Sequence, residues 1–376
     1  MKPSLTPARH NAASGFSLVE VLVGMVIALI GIVIMFQVME NADARKRTTA
    51  AGGDAQIAGS IAMYNLERDI RQGGYGFGAS AFMGCTVNAY DTARGAAFTF
   101  PMIPVQIVDG AAGAPDQIIV FYGNSQTAAI SQTFGPKSDG TAGSTTTSKT
   151  VTSTSSRAGI QRGDLVLVAN SAASACGLIE ITDNSHGPGG TTDDARTVNH
   201  TTGTYTSALN VTATARFNDP AGFTLTSGSL YNLGNLTFPR RDIWQITNNR
   251  FLTVTDDLHF TGAAEVGEGI IDLQAEYGLD LTGTRDYLVD TWQTTDPADW
   301  TRVIAIRVGL LARSQQYEKA IVTPNAPTWT GGTFVMTNVD GTADDAPNNP
   351  NDWRHYRYRV YEVTIPLRNV IWGTAP

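Results

Sequence analysis

From Leu18 to Met39 the chain is apolar and uncharged except for Glu20. A helix crosses the hydrocarbon core of a bilayer with about 20 such residues. A helix is also the form in which one isolated segment satisfies its own backbone in lipid. Glu20 is the informative exception, because a carboxylate at membrane depth costs about 2.5 to 3.5 kcal/mol on insertion scales and calls for a partner. Cleavage after Gly15 creates one: Phe16 becomes an N-terminal amine one helical turn from Glu20. Two blander readings fit less well. A secretory signal has an apolar core of about 7 to 15 residues and a small-residue cleavage site; Ala42-Asp43-Ala44 supplies the site, but the core is too long. A plain membrane anchor explains the length and leaves the acid unexplained.

Gly15-Phe16-Ser17-Leu18-Val19-Glu20 resembles the type IV prepilin signature. The resemblance implies cutting after Gly15 by a prepilin peptidase on the cytoplasmic face, N-methylation of Phe16, and an assembly role for Glu20 as the fifth mature residue. The leader, 1–15, carries Lys2, Arg9 and His10 and no acid, in keeping with the positive-inside rule. The expected order is a leader at 1–15, a transmembrane and filament-core helix at 16–39, its extension at 40–72, and a head at 73–376.

The extension contains no proline from Glu40 to Gln72. Helical spacing puts Ile57, Ile61 and Tyr64 on one face and Met63, Leu66 and Ile70 nearly opposite. Two apolar sides fit a helix that packs on its own sheet and on neighbouring subunits; one wide core-facing stripe is the competing reading. Gly52-Gly53 weakens the helix by about 1 kcal/mol per glycine relative to alanine and marks a candidate bend. Gly73-Gly74-Tyr75-Gly76-Phe77-Gly78 ends it, glycine being suited to a left-handed cap. The preceding Glu67-Arg68-Asp69-Ile70-Arg71-Gln72 with Gly73-Gly74-Tyr75 resembles the R-x-D-I-R-x-A-G-Y segment of PilW-type minor pilins, with Gly73 where alanine is usual.

The remainder reads as β-rich. Charged residues are 16% of the 376 and glycines number 38, a balance that suits an extracytoplasmic β head, so the fold class is α+β. Strands are expected at Ala97 to Val108, Gln117 to Tyr122, Asp164 to Ala169 and Gly177 to Thr182. A hairpin is expected around Asn249, with Leu258 to Phe260 extending its sheet. Glu265 to Ile270 reads as a helical turn before a strand at Ile271 to Leu279. Thr301 to Arg313 reads as a half-buried strand, its isoleucines alternating with Arg307 and Arg313. Polar stretches at 123–157, 183–204 and 338–352 read as loops, the first partly disordered because it holds little to bury. Ile271 to Gly278, Val303 to Ser314 and Tyr358 to Asn369 are similar in order and character to PilW. Pseudopilin J of type II secretion shares a shorter version of the first two.

Cys85 and Cys176 lie beyond the membrane segment, where an oxidising periplasm favours a disulfide over two thiols. No catalytic set emerges: the five histidines are far apart, and Asp193-Asp194, Asp256-Asp257 and Asp344-Asp345 sit in turn-like surroundings. Asn338 to Asp352 is rich in oxygen ligands without the order of an EF-hand loop, so calcium ranks below a polar loop. Arg354 to Arg359 interleaves bases and aromatics, but strand alternation separates them. The formal charge of −8 argues against nucleic acid, which needs a basic footprint. Neither enzyme, metal nor cofactor is expected.

The resemblance implies a minor pilin of the PilW family. It would prime type IV pilus assembly with other minor pilins and the major pilin, at or near the tip, supporting twitching motility and adhesion. A tip adhesin is a further candidate partner. The protein would lie in the inner membrane with its head in the periplasm before joining the pilus. The alternatives are a J-like pseudopilin and an adhesive tip-binding module.

Overall fold

The structure, a computed structural model, describes residue 15 and residues 17–78, 80–125, 131–137, 140–152, 159–170, 175–184, 196–336 and 352–373. Outside these lie Phe16, His10 and the rest of 1–14, Asp193-Asp194, Asp344-Asp345, His186, and most of the loop expected at 338–352. Helix α1 runs Leu18–Gln72, 55 residues, uninterrupted through Gly52-Gly53. Chain contacts form two units, one ending at Gly53 and one beginning at Asp54.

The first unit is helix with its apolar side chains from Leu18 to Met39 exposed. In the second, three larger sheets follow the end of α1. A six-stranded sheet has the order Ala96–Pro101, Thr86–Asp91, Ala175–Glu180, Asp164–Ala169, Gly228–Asn235, Gln132–Phe134. A five-stranded sheet runs Ala264–Glu268, Phe251–Asp256, Arg240–Thr247, Gln117–Tyr122, Val105–Val108. A four-stranded sheet runs Thr291–Gln293, Ile270–Leu279, Val303–Arg313, Tyr358–Pro366. Uninterrupted apolar runs become central strands: all six residues of Asp164–Ala169 are buried, as expected of a strand covered on both faces.

Two main cores result. One joins Ala62, Met63, Leu66 and Ile70 of α1 to Trp244 and Leu252 of the five-stranded sheet and to Leu273, Ile306, Val308 and Ile365 of the four-stranded sheet. The other joins Phe100, Leu167 and Leu178 of the six-stranded sheet to Phe77, Phe121 and Phe217. Cys85 and Cys176 are bonded, Cα to Cα 6.0 Å. They sit where Thr86 to Asn88 pairs in parallel with Ala175 to Gly177.

Several expectations change. Ala97 to Val108 is two strands in different sheets, broken between Pro101 and Pro104, because proline cannot donate to a ladder. Glu265 to Ile270 is no helical turn: Ala264–Glu268 pairs with Phe251 to Val254, where an available sheet edge outweighs local propensity. Leu258 to Phe260 forms a turn instead of extending the hairpin. The Asp256 carboxylate accepts from the Leu258 and His259 N–H groups, and Phe260 adopts φ 55°. The strand at Val303–Arg313 is buried on both faces rather than one. Phe334 and Met336 pack on Leu311 from outside, flanked by Trp329. The stretch expected as a loop at 123–157 contains short strands at Gln132–Phe134 and Ser148–Thr150, with Phe134 and Val151 buried. The polar stretch at 183–204 contains Thr197–Asn199. The hairpin around Asn249 is present, with Asn248 and Asn249 at φ 52° and 50°, a conformation asparagine tolerates.

The disulfide closes a loop of 91 residues, which the chain-entropy account values at about 4 to 5 kcal/mol. The Cys85→Ser, Cys176→Ser double variant should therefore lower the chemical-denaturation midpoint of the head markedly. An unchanged midpoint would show that the crosslink adds no stability.

Candidate functional site

Gly15 is exposed three positions ahead of Leu18, the first residue of α1, and Glu20 lies exposed in the helix's first turn. The helical bonding begins with Val21 N–H donating to Ser17 O at 3.2 Å. The stretch Leu18–Asp43, 26 residues whose most apolar 18-residue window has a mean hydropathy of 2.9, is long and apolar enough to cross a membrane. An acid in the first turn also suits the positive end of the helix dipole.

Farther along, α1 presents two distinct faces. Ala62, Met63, Leu66 and Ile70 are buried, whereas Ile57, Ile61 and Tyr64 are 62, 49 and 65% exposed. The reading of a single wide core-facing stripe is thereby overturned. Close approach on the inner side depends on Gly59, where an added Cβ would overlap the Tyr361 ring. The Tyr361 hydroxyl donates to Gln56 O at 2.8 Å. At the helix end, Asn369 Nδ2 donates to the carbonyls of Gln72 and Gly73, each at 3.1 Å. Gly74 and Gly76, at φ 80° and 93°, turn the chain away, and Gly74 N–H reaches Phe121 O at 2.9 Å. Sequence reading placed Asn369 in a family-like motif without seeing it as a helix cap. It passed over Gly59, whose signal was a lone glycine inside a helical pattern.

The histidines and acidic or basic clusters of the head are held in local interactions. His259 Nδ1 donates to Asp256 at 2.6 Å and Nε2 donates to Leu236 O at 2.7 Å. Burial opposes its charge, but these acceptors outweigh it and hold the imidazole above its ordinary value. Asp257 takes Arg94 and Arg241. His200 Nε2 faces the buried Lys149 ammonium at 3.0 Å, which also donates to Thr145 O and Phe223 O. Burial and that ammonium push His200 down to about 3. His355 stacks on Tyr317. Asp352 caps a short turn by accepting from Arg354 N–H at 2.9 Å. Arg357 pairs with Glu318, and Arg313 stacks over Tyr356. Among the described residues no cluster of three or more His, Cys, Asp or Glu is arranged to hold a metal ion.

Buried carboxyls are a second feature of the head. Asp116 accepts from the N–H groups of Gly110 and Ala275, yet burial raises it to about 7. Burial raises Asp272 to about 6. Asp242 reaches about 7 through burial reinforced by the charges of Asp256 and Asp69. Asp69 is itself raised by burial. Asp69 and Asp242 line a cavity of about 540 Å³ between α1 and the five-stranded sheet.

Comparison with known proteins gives two family matches. The model described as Type IV Pilus-assembly protein W matches residues 250–369, and that of the prokaryotic N-terminal methylation motif matches residues 10–36. The first span contains the whole four-stranded sheet and Asn369; the second contains Gly15, Phe16 and Glu20. Among solved structures the chain is similar to a type IV-like pilin from Thermus thermophilus, at 14% identity and a TM-score of 0.20, over 35% of this chain and 68% of that one. No curated protein matches significantly.

The raised carboxyls fix a pH dependence. A carboxyl held above its unfolded value of 3.8 takes up protons on folding, so its stability contribution is complete below that value and is lost as pH rises through the folded value. Asp116, Asp242 and Asp272 therefore weaken the head up to about pH 7, and raised His259 acts in the same direction. His200, depressed from 6.5, opposes them only below that value. The thermal midpoint should fall between about pH 6 and 7.5, and the Asp116→Asn, Asp242→Asn variant should flatten that fall. A wild-type midpoint that rises over this range would contradict the assignment.

Proposed function

We propose that this chain, a PilW-like pilin associated with a type IV pilus, is a minor subunit that primes filament assembly with other minor pilins and stays at or near the tip. Residues Leu18 to Met39 hold it in the bacterial inner membrane with the head in the periplasm. A prepilin peptidase cuts after Gly15, and Phe16 becomes the methylated N-terminus. Glu20 then draws the chain toward the Phe16 amine of an adjacent subunit, since pairing cancels two charges that lipid tolerates badly. Neighbours in the filament include the major pilin, and a tip adhesin is a further partner class. Twitching motility and adhesion would follow from the filament.

The observation that carries this reading is the division of labour along α1. Within the head unit its buried stripe belongs to the core while Ile57, Ile61 and Tyr64 remain exposed, and in the first unit the apolar side chains from Leu18 to Met39 are exposed. A helix serving one globular domain hides its apolar side chains; this one keeps a second set free for other helices.

A deletion strain should lose surface pili by electron microscopy while still secreting type II substrates. Intact pili with failed secretion would reassign the chain to the pseudopilins. Glu20→Ala should insert in the membrane and be processed but be depleted from sheared pili; wild-type abundance there would remove the proposed role of the carboxylate. Gly15→Leu should leave the unprocessed mass, and a normal mature mass would move the cleavage site.

A further inference from the structure

The strand Tyr358–Pro366 forms one border of the four-stranded sheet, pairing with Val303–Arg313 through nine consecutive residue pairs without a register shift. Ser314 N–H donates to Arg357 O and Leu367 N–H to Ile304 O, both at 2.8 Å. Antiparallel alternation between these two pairs turns the backbone groups of Tyr361, Val363 and Ile365 inward to the ladder and those of Val360, Glu362 and Thr364 outward. Arg313 N–H, opposite Tyr358, accordingly leads to Gly269 O on the far side of its own strand. Among the described residues no hydrogen bond reaches the N–H or C=O of Val360, Glu362 or Thr364, and Glu362 and Thr364 are exposed. Such rows of free groups are ordinarily blunted by short length, a bulge, proline or lysine. Four other borders of the larger sheets follow that rule. Gln132–Phe134 and Thr291–Gln293 have three residues, Val105–Val108 has four behind Pro104, and the pairing of Ala264–Glu268 shifts register. Ala96–Pro101 has six, with only small or polar side chains exposed, at Ala96, Ala97 and Thr99. Tyr358–Pro366 has nine, no lysine, and proline only at its end. A flank of α1 runs beside this open edge. Tyr361 and Val363 pack on the core that α1 shares, the Tyr361 hydroxyl reaching Gln56 O. Steps of four residues from Gln56 lead around the helix through Ser60 to Tyr64, both exposed.

We infer that the free edge of Tyr358–Pro366 accepts an extended segment of a different protein chain, added as a further strand of the four-stranded sheet. The outward N–H and C=O groups define the backbone of that segment, because an extended chain offers acceptors and donors at matching intervals. The helix flank defines its side chains: those opposite Tyr361 and Val363 are apolar and rest against Ser60 and Tyr64, and the alternate ones are polar. Ile57 and Ile61, farther around α1, stay free for neighbouring helices. A proline-free stretch of about 5 to 6 residues spans the outward positions. A second copy of this strand fits less well. Gln56 lies beside Tyr361 and Gln72 beside Asn369, so α1 and the strand run the same way. Two copies paired antiparallel would point their helices in opposite directions, which the membrane-anchored reading above does not allow. Paired in parallel about a two-fold axis, the copy would set its Glu362 and Thr364 against the Tyr64 flank. Only the first of these exclusions rests on the assembly reading.

The test adds an acetylated and amidated octapeptide of alternating valine and threonine, with a lysine at each end, to the full-length chain in a zwitterionic detergent, and follows amide hydrogen exchange by NMR. In the free chain the amides of Val360, Glu362 and Thr364 should exchange rapidly while those of Tyr361 and Val363 are protected. The peptide should slow the outward amides at least about tenfold and leave the inward ones unchanged. Thr364→Pro removes one outward donor at a position where an edge strand tolerates proline, and it should abolish the slowing. Thr364→Ala keeps the N–H and should retain it. The wild-type exchange decides the matter even if the proline variant folds poorly. No slowing of the outward amides at millimolar peptide, or equal slowing in a folded Thr364→Pro chain, would overturn the inference. A dimer of the peptide-free chain that Thr364→Pro dissolves would make a second copy the occupant and overturn it as well. Each of these results is independent of whether the chain enters pili.

Discussion

The packing of Ala62, Met63, Leu66 and Ile70 against two sheets at once is the contact on which the head is built. The five-stranded sheet is built from 105–122 and 240–268 and the four-stranded sheet from 270–366, and these helical side chains contribute to the core they share. A buried leucine or isoleucine cut back to alanine in such a setting costs about 2 to 5 kcal/mol, a large share of the net stability of an ordinary domain. Gly59 belongs to the same contact, because the Tyr361 ring occupies the space a side chain would need. The buried stripe therefore determines which face of the helix stays outside.

Much of this was legible from residue order. The helix could be followed because no proline interrupts it and its apolar residues recur at helical spacing, so the opposition of Ile61 to Leu66 was visible before any coordinates. Continuous apolar runs such as Ile118 to Phe121 announced buried strands, and a shared compartment suggested the bond between Cys85 and Cys176. What could not be read was set by contacts distant in sequence. Nothing near Val303 to Arg313 indicates that Phe334 and Met336 will cover its outer face. Nothing local tells Ala264 to Glu268 that an edge strand awaits it.

The candidate site divides in the same way. Gly15, Phe16 and Glu20 stand out because a charge inside a long apolar run is conspicuous in a string of letters. The cavity carboxylates do not, since Asp69 reads as a solvent-facing member of a charged helix end and Asp242 as one acid in a polar strand. Their character comes from being brought together: Asp69, Asp242 and Asp256 enter one cavity from a helix and two strands. Burial then turns common residues into titrating ones.

Asn369 ties the last carbonyls of α1 to a residue 297 positions away from Gln72. That separation gives the helix end a place in time as well as in space. During synthesis the carbonyls of Gln72 and Gly73 emerge long before their donor exists, and closing so long a loop has an entropic cost that local helix formation does not share. The capping of the Gln72 and Gly73 carbonyls therefore waits for Asn369, which follows the strand Tyr358–Pro366. The end of the helix and the last strand of the four-stranded sheet are thereby latched to each other, so that loosening one frees the carbonyls of the other.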